Sequence, residues 1–124
     1  MEREKFITFL NLMEGLKIRI KEKHWTSKNI NNHRELDDLY WNLSRFEDAF
    51  AEEGIIVFGE IQPGEIKAVE LDSNIDIIDA CLKMTDKLHL LCGTLECAGI
   101  LSEVDGFIHE LNTAKYLAKM TVVE

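Results

Sequence analysis

The sequence predicts an all-α fold, a four-helix bundle with one long crossover between helices two and three. Three observations carry this. Apolar residues recur at helical spacing in four separate stretches. Capping patterns stand ahead of those stretches. The only proline, Pro63, shares a single connection with three glycines, Gly54, Gly59 and Gly64. The chain has 124 residues and is 46% hydrophobic, the size and composition of one domain with a real core, so residues 1–124 are expected to form a single bundle.

Phe6, Phe9, Leu10, Met13, Leu16 and Ile20 mark the first helix, from about residue 2 to 23, with Gly15 as its weak point. The polar tract "TSKNINN" follows. Asn32 with Glu35 resembles a capping box, which predicts a second helix from near His33 to Gly54 with Leu36, Leu39, Tyr40, Leu43, Phe46 and Phe50 inward. Ser73 with Asp76 repeats the pattern ahead of Ile77, Ile78, Cys81, Leu82, Leu88 and Cys92, a third helix expected to stop around Gly99. Ser102 with Asp105 opens a fourth, carrying Val104, Phe107, Ile108, Leu111, Tyr116 and Leu117.

The connection "GIIVFGEIQPGEIKAVELD" is too long for a helical hairpin. A helix of about 22 residues is roughly 33 Å long, and about 19 extended residues reach some 60 Å, enough to return along the bundle before the third helix starts. Two short loops flanking one long crossover are the connectivity of ferritin-like bundles.

A net charge of −9 and the lack of a Lys-rich tail disfavour a nucleic-acid partner and suit a surface that attracts cations. No apolar run approaches a membrane span of roughly 20 residues and no signal-peptide pattern opens the chain, so a soluble, cytoplasmic protein is expected. Cys81, Cys92 and Cys97 read as reduced core or boundary thiols on one helix, where their offsets forbid pairing.

Helix two carries an unusual polar line. His33, Asp37, Trp41, Ser44, Asp48 and Glu52 share a face. His33 with Asp37 and Asp48 with Glu52 are i, i+4 pairs, the spacing that aims two metal ligands at one point. The rise from Asp37 to Asp48 is about 16 Å, so one copy of the helix cannot form one site. The residue numbers 33 with 52 and 37 with 48 share one sum, and the pattern is palindromic about the point between Asn42 and Leu43. A second copy packed antiparallel across a two-fold axis there sets His33 and Asp37 against Asp48 and Glu52 of its mate, with His24 placed as a fifth ligand. Two imidazoles and three carboxylates suit iron or manganese better than a thiolate-seeking metal. The bundle-interior alternative needs Glu-x-x-His on two helices, and the sequence contains no such motif. An isolated chain is expected to expose the Trp41, Leu43 and Phe50 side of helix two, so a homodimer is the expected unit. Glu96, Glu103 and Glu110 read as a solvated acidic face, and His89 and His109 as boundary or surface residues with no role.

"HW" at His24 and Trp25, "H-x-x-x-D" at His33 and Asp37, and "D-x-x-x-E" at Asp48 and Glu52 resemble the ferroxidase signature of Dps-type miniferritins. The last helix, "AGILSEVDGFIHELNTAKYLAKM", resembles that family's final helix in its small, acidic and apolar positions. The loop joining His24 to His33 is shorter than is usual there. The resemblance implies a ferritin-like bundle that binds iron, with manganese or zinc as substitutes, at a di-metal site shared between two subunits. The ligands would be His24, His33, Asp37, Asp48 and Glu52. It implies Fe(II) oxidation by hydrogen peroxide or dioxygen, iron sequestration, and a homodimer that builds a larger shell. The alternative is a ferritin-like bundle without turnover, serving as a structural or partner-binding module.

Overall fold

A computed structural model describes residues 1–92 and 98–123. Among these the chain forms four helices, α1 (Arg3–Thr26), α2 (Ile30–Phe58), α3 (Ile77–Leu91) and α4 (Ala98–Val123), packed against one another as a helical bundle. None of the helices is long and apolar enough, over the described residues, to cross a membrane.

The stripe expected on α1 is the one buried: Phe6, Phe9, Leu10, Met13, Leu16 and Ile20 all face the core. They meet Leu39, Leu43, Phe46 and Phe50 of α2, then Ile77, Cys81, Met84 and Leu88 of α3 and Ile100, Val104, Phe107 and Leu111 of α4. Aromatic rings link three of the helices, with Phe6 5.2 Å from Phe50 and Phe46 stacked on Phe107 at 4.7 Å. Each such ring withdraws enough apolar surface to stabilise the fold by about 1.5–3 kcal/mol. Leu43 and Phe50 are fully buried in the chain's own core, so only Trp41 of the three residues expected on an open face is exposed. Tyr116, expected to face inward, is 62% exposed.

Helix boundaries depart from expectation for local reasons. Asn29, not Asn32, caps α2: its side chain accepts from the N–H groups of Asn31 at 2.9 Å and Asn32 at 3.3 Å. Gly54 does not end α2. It lies against the ring of Phe6, which occupies the space a side chain would need, and the helix continues to Phe58 before Gly59 turns out at φ 91°. Asp76 itself caps α3, accepting from Asp79 N–H at 3.1 Å. That helix ends at Leu91 instead of near Gly99, which lies in the first turn of α4 against the Glu53 carboxylate. Cys81 and Cys92 are buried, while Glu96 and Cys97 lie outside the described residues, as does the side chain of Leu117.

Contacts give the helix directions. His24 meets His33 and Phe6 meets Phe58, so α1 and α2 are antiparallel. Phe107 meets Phe46 and Gly99 meets Glu53, so α4 runs against α2. His89 meets Asp105 near the end of α3, and Ile77 at its start lines a pocket with Ala114, so α3 runs against α4. The connection over residues 59–76 has no helix or strand of its own and lies along α1. Arg3 grips both oxygens of Glu65 at 2.7–2.8 Å, and that hydrogen bonding, with one from the Gln62 N–H, holds the Glu65 carboxyl down at about 2. Further on, Lys67 N–H donates to Asn11 Oδ1, Val69 N–H to Asn11 O, and Arg19 Nε to Leu71 O. Gly15, expected as a weakness, is where the Val69 carbonyl packs on α1, in the space a Cβ would need. The segment thus returns the chain to the end of the bundle where α1 finishes, and α3 begins there.

Candidate metal centre

His24 stands in the last turn of α1 and His33 in the first turn of α2. The short connection between them leaves the two imidazoles face to face, with centroids 3.8 Å apart and planes inclined by 24°. Each ring reaches across to the other residue's backbone: His24 Nδ1 is 2.9 Å from His33 O, and His33 Nδ1 is 2.9 Å from His24 O. A carbonyl oxygen only accepts, so each Nδ1 carries the hydrogen and donates. The tautomer follows from that geometry. Both Nε2 lone pairs are therefore bare in the neutral rings, the arrangement in which a backbone carbonyl orients a metal-binding imidazole. His24 O also belongs to the final turn of α1, whose carbonyls lack helical donors, so His33 satisfies one of them.

Asp37, one turn beyond His33, brings Oδ1 to 3.9 Å from His24 Nε2. That is too far for a hydrogen bond. The Asp37 side chain is half exposed and able to turn, whereas His24 is 19% exposed and fixed by its stacking and hydrogen bond. His24 and Asp37 line a shallow pocket of about 160 Å³ with Lys21, Trp25, Tyr40 and Trp41. Both tryptophans project to the surface, Trp25 at 72% and Trp41 at 59% exposure.

Asp48 and Glu52 are exposed about three and four turns beyond Asp37 along α2, and no hydrogen bond or ion pair with another described residue holds either carboxylate. The structure therefore brings together His24, His33 and Asp37 and leaves Asp48 and Glu52 apart from them. Among the described residues, no three His, Cys, Asp or Glu side chains converge as they stand to hold a metal ion.

Between the two ends lies a cluster that sequence reasoning missed. Lys17 Nζ donates to Glu47 Oε1 at 2.9 Å and to Glu14 Oε2 at 3.0 Å. Burial, reinforced by the Glu14 carboxyl, raises Glu47 to about 7. Burial alone would raise Glu14 too, but the neighbouring Glu47 and the hydrogen bond from Lys17 outweigh it and leave Glu14 below its usual range. Lys17 is raised by the two carboxylates against the opposing effect of burial. Glu47 Oε2 and Ser44 Oγ are buried without a partner among the described residues. The i, i+3 spacing of Glu14 and Lys17 was the only signal of this cluster in the sequence. Compared with family models, curated proteins and solved structures, the chain matches none.

Proposed function

We propose that the chain is a ferritin-like bundle of the miniferritin type, which binds Fe(II) between two copies of itself, oxidises it and sequesters the product. The observation that carries this is the reciprocal histidine pair, which directs both Nδ1–H groups to backbone and leaves both Nε2 atoms as acceptors, that of His24 facing Asp37. Support also comes from the residues at the mirrored positions of α2. Asp48 and Glu52 are exposed on the same helix as the exposed Trp41, as a partner copy would require. The return of residues 59–76 along α1 fits a ferritin-like crossover.

In this reading Fe(II) is the substrate. His24, His33 and Asp37 of one copy and Asp48 and Glu52 of the other surround two ions, and three carboxylates offset most of their charge. Two Fe(II) give two electrons to one hydrogen peroxide, which with two protons leaves as two waters; dioxygen is the other oxidant considered. Carboxylate charge favours the more highly charged Fe(III), so the donor set promotes the electron loss. Trp25 and Trp41 cover the site when the second copy docks.

The test mixes two variants. His33→Ala and Asp48→Ala homodimers should each lose Fe(II) oxidation, because both sites of each dimer carry a lesion. Unfolded together and reassembled, about half of the dimers are mixed, and each has one site with both lesions and one with none, so roughly a quarter of wild-type sites return. No recovery, with mixed dimers confirmed by native mass measurement, overturns the shared site.

A further inference from the structure

We infer that Lys21 is the built-in counter-ion of the α1–α2 face, pairing with Asp48 of a second copy and holding the two copies together when no metal is bound. The placement of that copy rests on the shared-site reading above; the ion pair is the addition. Lys21 is partly buried on α1, three residues before His24, and borders the pocket of about 160 Å³ that His24 and Asp37 also line. Its ammonium lies 5.1 Å from the centre of the Tyr40 ring, and that of Lys17 lies 5.8 Å from the same ring. Lys17 is neutralised by Glu14 and Glu47. Lys21 has no such partner: among the described residues it forms no hydrogen bond or ion pair, and the face of Tyr40 receives its charge. In a chain with 14 basic and 23 acidic residues, a partly buried cation left without a carboxylate points to one supplied from outside.

Asp48 is the complementary group, exposed on the same face and equally without a partner among the described residues. The two cannot meet within one chain. Lys21 stands at the level of Tyr40 and Asp37, and Asp48 lies about 16 Å beyond Asp37 along α2. The two-fold between Asn42 and Leu43 removes that separation, because it carries Asp48 of the second copy to Asp37, at the pocket that Lys21 borders. The same operation sets Trp41, 59% exposed, opposite Ser44 of the second copy, a large side chain against a small one. Each copy has a net charge of −9, and each centre collects three carboxylates, so the metal-free face is repulsive without a cation of its own. Symmetry makes two Lys21–Asp48 pairs per dimer, one at each centre.

Charge reversal tests the pairing with no metal present. Dimer dissociation of the full-length chain is measured by analytical ultracentrifugation in chelator. Lys21→Glu, and separately Asp48→Lys, place like charges together at both centres and should each weaken the dimer at least about tenfold. The double variant restores opposite charges with the two helices exchanged and should return to within about threefold of wild type. Lys87→Glu, exposed on α3, makes the same change in net charge as Lys21→Glu and should leave association near wild type. Lys21→Gln keeps the stem over Tyr40 and is the milder arm, expected to weaken the dimer while retaining wild-type helix content by circular dichroism. A double variant no tighter than the weaker single, or a wild type that stays monomeric in chelator, overturns the pairing. Rescue by the double variant beside a wild type that does not oxidise Fe(II) would sustain the pairing and overturn the ferroxidase reading; oxidation without rescue would do the reverse.

Discussion

Replacing Glu47 by Gln should flatten a defined part of the stability–pH profile. The Glu47 side chain is 12% exposed and accepts from Lys17, and its burial beside Glu14 raises it to about 7. The folded protein therefore keeps a proton that the unfolded chain gives up near the ordinary value of 4.5. A raised group contributes stability that is fully present below the unfolded value and is lost as pH rises through the folded one, so the loss from Glu47 falls between pH 4.5 and about 7. That gap corresponds to at most about 3 kcal/mol, and residual hydration reduces it to on the order of 2 kcal/mol. Glu14, lowered by Glu47 and by the Lys17 hydrogen bond, acts in the opposite sense and below 4.5, where its stabilisation fades as it protonates. A glutamine at position 47 keeps the shape and accepts from Lys17 through its carbonyl oxygen, but does not titrate. Urea unfolding followed by circular dichroism, with chelator present and at equal protein concentration, should show wild type losing about 2 kcal/mol more than Glu47→Gln from about pH 5 to about 8. Contributions from other groups are common to both proteins and cancel in the difference. Coincident slopes would refute the reasoning, since they would mean that Glu47 is ionised in the fold throughout that range.

Gly54→Ala should destabilise the protein by about 1–3 kcal/mol, because its methyl group falls inside the Phe6 ring and α1 must move away from α2; an unchanged thermal midpoint would show that the helices do not approach there. Asn29→Ala removes both acceptor bonds at the start of α2 and should cost about 1 kcal/mol by urea midpoint, whereas Asn32→Ala, outside the cap, should cost far less. The Cys81 thiol is pushed up to about 12 by burial, so it should resist iodoacetamide in the folded protein at mildly alkaline pH and react once urea unfolds it. Peptide mapping that finds Cys81 alkylated before unfolding would place it outside the core.

The core was legible in the sequence because its signal is periodic. Every apolar position assigned to α1 is buried, since a stripe at 3.6-residue spacing has one way to leave water in a bundle. The glycines were not legible as packing residues. Gly54 and Gly99 read as helix ends, yet each lies within a helix where a neighbouring side chain, Phe6 or Glu53, takes the space of a Cβ. A glycine that permits close approach and one that terminates a helix are the same letter, and only the partner surface tells them apart. Asparagine capping failed for a related reason: Asn29, Asn31 and Asn32 all offer a suitable side chain, and the choice depends on where the chain leaves α1.

The candidate centre divides along the same line. The i, i+4 spacing of His33 with Asp37 needs only one helix and was readable, but the pairing of His24 with His33 depends on how tightly the loop closes. Its chemical consequence, two imidazoles whose Nδ1 hydrogens are committed to backbone carbonyls, requires both helix ends in register. Lys17 and Glu47 likewise meet only because α1 and α2 run antiparallel with a particular offset. That offset does two things at once. It seats Lys17 between Glu14 and Glu47 in the middle of the face, holding α1 and α2 together through a half-buried charge cluster, and it sets the histidine pair at one end. Removing the Lys17 ammonium would leave two carboxyls facing each other, and any slip of α2 along α1 that relieved them would also separate the histidine rings. The geometry of the candidate centre is therefore tied to a charge cluster that contains none of its ligands.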